Sequence, residues 1–103
     1  MPTVLFVVKA TIRKDQEDAF NRWYNEEHVP QFLRWKGAVS ARRYRAIDGE
    51  DTYQYMAVYE LESAENFRAL MASPHMKELR AEYDAHFGAV SARARFAYEQ
   101  VWP

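Results

Sequence analysis

The chain has 103 residues, no cysteine and a formal net charge of −1, with 49% hydrophobic and 16% aromatic residues. That is the size of one domain, 1–103, with enough apolar mass for a core and too much for a disordered chain. The near-neutral charge excludes an electrostatic case for nucleic acid or an anionic membrane, and the missing thiols exclude disulfides, thiolate metal sites and a cysteine nucleophile.

Thr3 to Ala10 is β-branched and apolar on both alternating faces, the pattern of a strand buried on two sides. Its longest apolar run, Val4 to Val8, is far too short to span a membrane, and no charged-then-apolar leader precedes it, so a cytoplasmic protein is expected. Asp15 is expected to begin a helix, with Asp18 completing an imperfect capping box. At about 100° per residue, Phe20, Trp23, Tyr24 and Glu27 share one arc and His28 lies at its edge. Pro30 is expected to stop or kink the helix, and Gly37 to end the turn that follows.

Ala38 to Ile47 reads as the second strand and Thr52 to Leu61 as the third, joined by a hairpin at Asp48-Gly49. Tyr53, Tyr55, Ala57, Tyr59 and Leu61 share one face of the third strand. Ser63 caps a helix from Ala64 to about Ala72, and Ser73-Pro74 starts another that carries Met76, Leu79, Tyr83 and Phe87 on one stripe. Ser91 to Trp102 is the last strand, with Ala92, Ala94, Phe96, Tyr98 and Trp102 on one face and Arg93, Arg95 and Glu99 on the other. The order is that of an α+β, ferredoxin-like βαββαβ domain with a four-stranded antiparallel sheet. Helices cover one face of such a sheet. The apolar residues of the other face call for a partner, and two sheets facing each other around a cavity satisfy them.

The stretch Trp23-Tyr24-Asn25-Glu26-Glu27-His28-Val29-Pro30, followed by Gly37 and Ala41-Arg42-Arg43-Tyr44, resembles the EthD-like group, REDY-like proteins included, of the dimeric α+β barrel superfamily. The likeness of fold covers nearly the whole chain and the sharper motif about a quarter of it. It implies a homodimer, a dimeric α/β barrel with a small-molecule cavity in each half. The superfamily includes cofactor-free monooxygenases, cyclases, isomerases, dehydratases and haem-handling proteins, so the resemblance selects no reaction. It carries over to His28 as the polar centre of the cavity.

From the residues themselves, His28 titrates near neutrality and can move protons without a cofactor. Tyr44 is the second candidate catalytic group. Arg42 can hold a carboxylate or enolate oxygen, and Tyr24, Tyr53, Tyr55 and Tyr59 can supply an aromatic wall with hydroxyl tips. Each has a plainer reading: a histidine fastening the kink, an arginine on a solvated edge, tyrosines of a half-buried strand. His75 and His86 stand about 16 Å apart along one helix and cannot share an ion, so no metal or other cofactor is expected. The expectation is a homodimeric, cofactor-independent enzyme acting by proton transfer on a hydrophobic or aromatic small molecule. The alternative is a carrier that binds such a molecule in the same cavity without changing it.

Overall fold

The computed structural model describes residues 2–103. The elements are β1 (Val4–Ile12), α1 (Glu17–Trp23), a π turn (Tyr24–His28), α2 (Val29–Phe32), β2 (Ala38–Arg45), β3 (Tyr55–Leu61), α3 (Ala64–Met71), α4 (Pro74–Phe87) and β4 (Ser91–Glu99). The strands form one antiparallel sheet in the order β2-β3-β1-β4. The expected α+β ferredoxin-like arrangement is therefore the one found. Among the described residues no helix is long and apolar enough to cross a membrane.

The core lies between the helices and one face of the sheet. Phe6, Val8, Ala10 and Ile12 of β1 and Tyr55, Ala57, Tyr59 and Leu61 of β3 meet Phe20, Tyr24, Phe32, Leu79 and Tyr83 there. Strand alternation sends every second residue to this face, and antiparallel register aligns the rows. One row runs Arg43–Ala57–Val8–Arg95, with apolar centres and a guanidinium on each edge strand. The serine caps hold as read: Ser63 Oγ accepts from Asn66 N–H at 3.0 Å, and Ser73 Oγ from Met76 N–H at 3.1 Å. Gly37 has φ +107°, and a side chain there would collide with Asn66. That amide is fixed between Trp35 Nε1 and the Lys36 carbonyl, so the corner into β2 requires glycine.

Four local expectations are corrected. The first helix begins at Glu17, after a 3₁₀ turn at Lys14–Gln16, because Asp15 takes Arg13 Nε at 2.6 Å and caps nothing. Pro30 does not break the helix. The chain accommodates its missing N–H in the π turn just before it, where Val29 N–H bonds to Tyr24 C=O. Asp48-Gly49 turns the chain but does not form a two-residue hairpin. The connection runs from residue 46 to 54 because its polar side chains are committed elsewhere, Asp51 to Lys9 Nζ (2.7 Å) and Gln54 to Ile12 N–H (2.8 Å). Finally, β4 ends at Glu99, so Trp102 lies past the strand and is exposed.

Candidate functional site

The π turn builds the site. In a regular α-helix residues five apart point about 140° away from each other and cannot stack. The longer hydrogen-bonded loop of the π turn brings Trp23 and His28 over one another, with ring centroids 4.5 Å apart and planes at 21°. Tyr24 meets the same imidazole edge-on at 5.0 Å. His28 is thereby turned inward and buried, rather than left at the helix edge.

His28 lines a pocket between the helices and the sheet, together with Tyr24, Phe32 and Tyr59 and with Arg80, Arg93 and Arg95. The pocket's volume is about 20 Å³, room for about one water molecule. Three buried polar atoms on its wall have no hydrogen-bond partner: His28 Nδ1, Tyr59 Oη and Arg80 Nε. Leaving such an atom unbonded costs about 1–3 kcal/mol, so the wall holds unspent bonding capacity. The Tyr24 hydroxyl is close enough to interact with that of Tyr59, yet no well-directed bond satisfies Tyr59. A further unbonded atom, His75 Nε2, lies away from the pocket, beside Trp35.

Burial fixes the protonation states. It pushes the His28 pKa from its ordinary 6.5 down to about 4, with the positive charges of Arg93, His86 and Arg43 acting in the same direction. The ring is neutral at pH 7. Burial also pushes the Tyr24 hydroxyl up to about 12 and the Tyr59 hydroxyl well above its usual range, so both keep their protons. Arg93 lies over the Tyr83 ring at 3.9 Å and pairs with Asp84 at 3.2 Å. Arg43 lies over Tyr24 at 4.4 Å and donates to the side-chain oxygens of Asn21 and Asn25, both at 2.9 Å.

Of the residues singled out in the sequence, the structure brings His28, Tyr24 and Tyr59 together. Tyr55 is near them through Phe20, but its hydroxyl donates to Glu17 and accepts from Asn21, which ties α1 to β3. Tyr53 belongs to the loop between β2 and β3. Arg42 and Tyr44 stand on the opposite, open face of the sheet, paired with Val58 and Met56 of β3. The reason is a bulge between Ala38 and Ser40, which shifts the phase of β2 and gives Arg43 the covered position. A second depression, a broad groove of about 700 Å³, runs along this edge past Asn25, Arg42, Tyr44 and Ile47. None of the unbonded buried atoms lines it, which makes the His28 pocket the better candidate. Sequence reasoning alone does not single out Arg80, Arg93 or Arg95, which the fold brings to this pocket. For Arg93 and Arg95 the signal is their place on the face of the last strand opposite Phe96 and Tyr98, the face that the helices cover; Arg80, on α4, has no such signal.

A family profile described as "Domain of unknown function (DUF4286)" matches residues 3–100. The chain belongs to this family. No curated protein matches its sequence. Among solved structures it resembles an ethyl tert-butyl ether D (EthD) family protein from Bacillus halodurans, with 16% identity, a TM-score of 0.74, and coverage of 98% of this chain and 100% of that one. SnoaB, a cofactor-independent oxygenase from Streptomyces nogalater, is 21% identical with a TM-score of 0.62, covering 100% of this chain and 97% of its own. A dimeric protein of unknown function and ferredoxin-like fold from Bacteroides fragilis is 13% identical with a TM-score of 0.64, covering 95% and 96%. The expected likeness to EthD-like dimeric α+β barrels thus holds at the level of the fold.

Proposed function

We propose that the chain is a one-domain, homodimeric, cofactor-independent enzyme that moves a proton on a hydrophobic or aromatic small molecule. The reaction is a dehydration, isomerisation or cyclisation, or an oxygenation with dioxygen as co-reactant. The observation that carries this reading is the convergence of His28 Nδ1, Tyr59 Oη and Arg80 Nε, buried and unbonded, on one pocket. With Nε2 protonated, His28 Nδ1 has a free lone pair and accepts a proton from an activated C–H or O–H of the substrate. The electron pair left behind settles on a substrate oxygen, to which Tyr59 donates while keeping its own proton. The imidazolium then returns its proton to another atom of the same molecule. A pKa near 4 makes His28 a weak base until negative charge develops beside it. That charge offsets the field of Arg93 and Arg43 and raises the proton affinity of the ring during the transfer.

Two observations support the homodimer. Leu5, Phe96 and Tyr98 leave an apolar strip on the uncovered sheet face, and a protein of the same fold is described as dimeric. The catalytic assignment is tested by solvent deuterium exchange into the activated C–H of an aromatic 1,3-diketone, followed by NMR. His28→Ala is expected to slow the enzyme-dependent exchange by about 10²–10⁴-fold. An unchanged rate removes His28 from the chemistry and leaves a pocket that binds without turning over.

A further inference from the structure

We infer that the molecule taken by the His28 pocket is an organic anion with an apolar body, its acidic group held by Arg80, Arg93 and Arg95. This rests on the pocket being the ligand site and adds the class of ligand. The three arginines come from two elements. Arg80 projects from α4, while strand alternation places Arg93 and Arg95 of β4 on the covered face beside Ala10 and Val8. Three guanidinium groups therefore share one pocket wall. No carboxylate lines the pocket, and the one carboxylate paired with the trio is Asp84, on Arg93 at 3.2 Å.

Arg80 and Arg95 have no ion-pair partner among the described residues. Arg80 Nε is buried without an acceptor, and its Nη2 reaches only Met71 Sδ at 3.8 Å, a weak acceptor at long range. Arg95 is exposed, yet partial desolvation and the neighbouring charges of Arg80 and Arg93 oppose its charge. Like charges gathered without counter-charge destabilise the chain, and an anion removes that cost. A guanidinium presents a planar fork that fits a carboxylate or sulfonate through two parallel bonds.

Arg43 provides the internal contrast. It too lacks a carboxylate, but two asparagine oxygens and the Tyr24 ring hold its guanidinium in place, and it does not line the His28 pocket. The apolar part of the wall is Phe6, Val8, Phe32, Met76 and Leu79, while His28, Tyr24 and Tyr59 add neutral polar groups. An acid with an aromatic or aliphatic body matches that division. The pocket is small, and Arg80 and Arg95 on its wall are long, flexible chains, Arg95 exposed and Arg80 half-buried. Their displacement makes room for the ligand and turns the guanidinium groups onto its acidic end.

The test is isothermal titration at low salt with three probes of one shape: 1-naphthoate, 1-naphthylmethanol and 1-naphthylmethylamine. The acid is expected to bind at least tenfold more tightly than the alcohol, and the amine not at all. In Arg95→Met, and again in Arg80→Met, that preference is expected to shrink to threefold or less. Arg22→Met, an exposed change on α1, leaves it intact. Because Arg95 is exposed, its variant folds even if the Arg80 variant does not. Equal affinity for acid and alcohol overturns the inference. So does a preference that survives both pocket variants, or an acid that does not bind at millimolar concentration. The acid preference is read on the parent chain and on Arg22→Met, independently of the exchange test. A failed deuterium-exchange test with an intact acid preference therefore removes the chemistry and leaves the ligand class, while the reverse outcome removes only the ligand class.

Discussion

On the covered face of the sheet, Phe6, Val8, Ala57 and Tyr59 are buried, whereas Leu5, Phe96 and Tyr98 on the other face keep 39%, 41% and 56% of their surface exposed. Both faces are written by the same alternation, often in the same strand. They differ in what they leave unsatisfied. The open face holds apolar atoms in water, a cost that another apolar surface removes. The covered face holds buried donors and acceptors without partners, a cost that only polar chemistry removes. The first kind of deficit suits assembly and the second suits a ligand, which divides the two proposed roles between the two sides of one sheet.

The sharpest way to break this comparison is to remove a ring from the covered side. Phe20 has no exposed surface and meets the rings of Tyr24, Tyr55, Tyr83 and Phe87 at 5.1, 6.0, 6.2 and 5.2 Å. Phe20→Ala leaves a cavity where helix and sheet meet and is expected to cost about 3–5 kcal/mol in chemical denaturation. A loss below about 1 kcal/mol would mean that this face does not form the core.

The fold was legible because its signals are short-range and redundant. The serine caps, the 3.6-residue stripe from Met76 to Phe87 and the alternation in β3 all act within a few residues, and each stands where the sequence puts it. The site was less legible because two phase shifts lie between sequence and space. The π turn adds a residue to one helical turn, so a wheel drawn at 100° per residue leaves His28 on the rim when it is inside. The bulge in β2 adds a residue to one strand, so Ala38 and Ala41, three apart, both pack against the core. Strict alternation from Ala38 would have brought Arg42 and Tyr44 inward. With arginine at both 42 and 43, no hydrophobic pattern reveals the slip.

A smaller effect follows from the protonation state of His28. Its folded pKa, about 4, is below the ordinary 6.5 of an unfolded chain, so between those values the unfolded state binds the extra proton. The stability tied to a neutral ring is complete above about pH 6.5 and is lost as the pH falls toward 4, by roughly 3 kcal/mol in total. Below pH 4 both states are protonated and this contribution is flat. Carboxylates titrate in part of the same range, so the quantity to measure is the difference between the parent and His28→Gln in denaturation series from pH 7.5 to 4. The variant is expected to show the shallower loss. Parallel curves would mean that the imidazole is as well solvated folded as unfolded, and the contrast between a buried polar pocket and an open apolar face would weaken.

The smallest expected effect on the chain itself comes from the open face, and it carries the most information about assembly. Phe96 lies beside Val7, with Lys9 Nζ 5.8 Å from the centre of its ring. Phe96→Asp gives up a weak cation–π contact and places a carboxylate near a lysine, so the unfolding free energy of the isolated chain should move by no more than about 0.5 kcal/mol. If two sheets meet across this face, the same change buries an unpaired charge in an apolar contact, which two-fold symmetry repeats on the partner. Light scattering is then expected to give twice the chain mass for the parent and the single chain mass for the variant at equal concentration. The parent should also gain thermal stability with concentration, because mass action favours the associated state, while the variant should not. A variant that keeps the parent's doubled mass would move the interface elsewhere, and the exposed strip of Leu5, Phe96 and Tyr98 would need another explanation. Comparing this variant with Phe20→Ala separates the two deficits: one change costs folding and the other costs association, although both remove a phenylalanine.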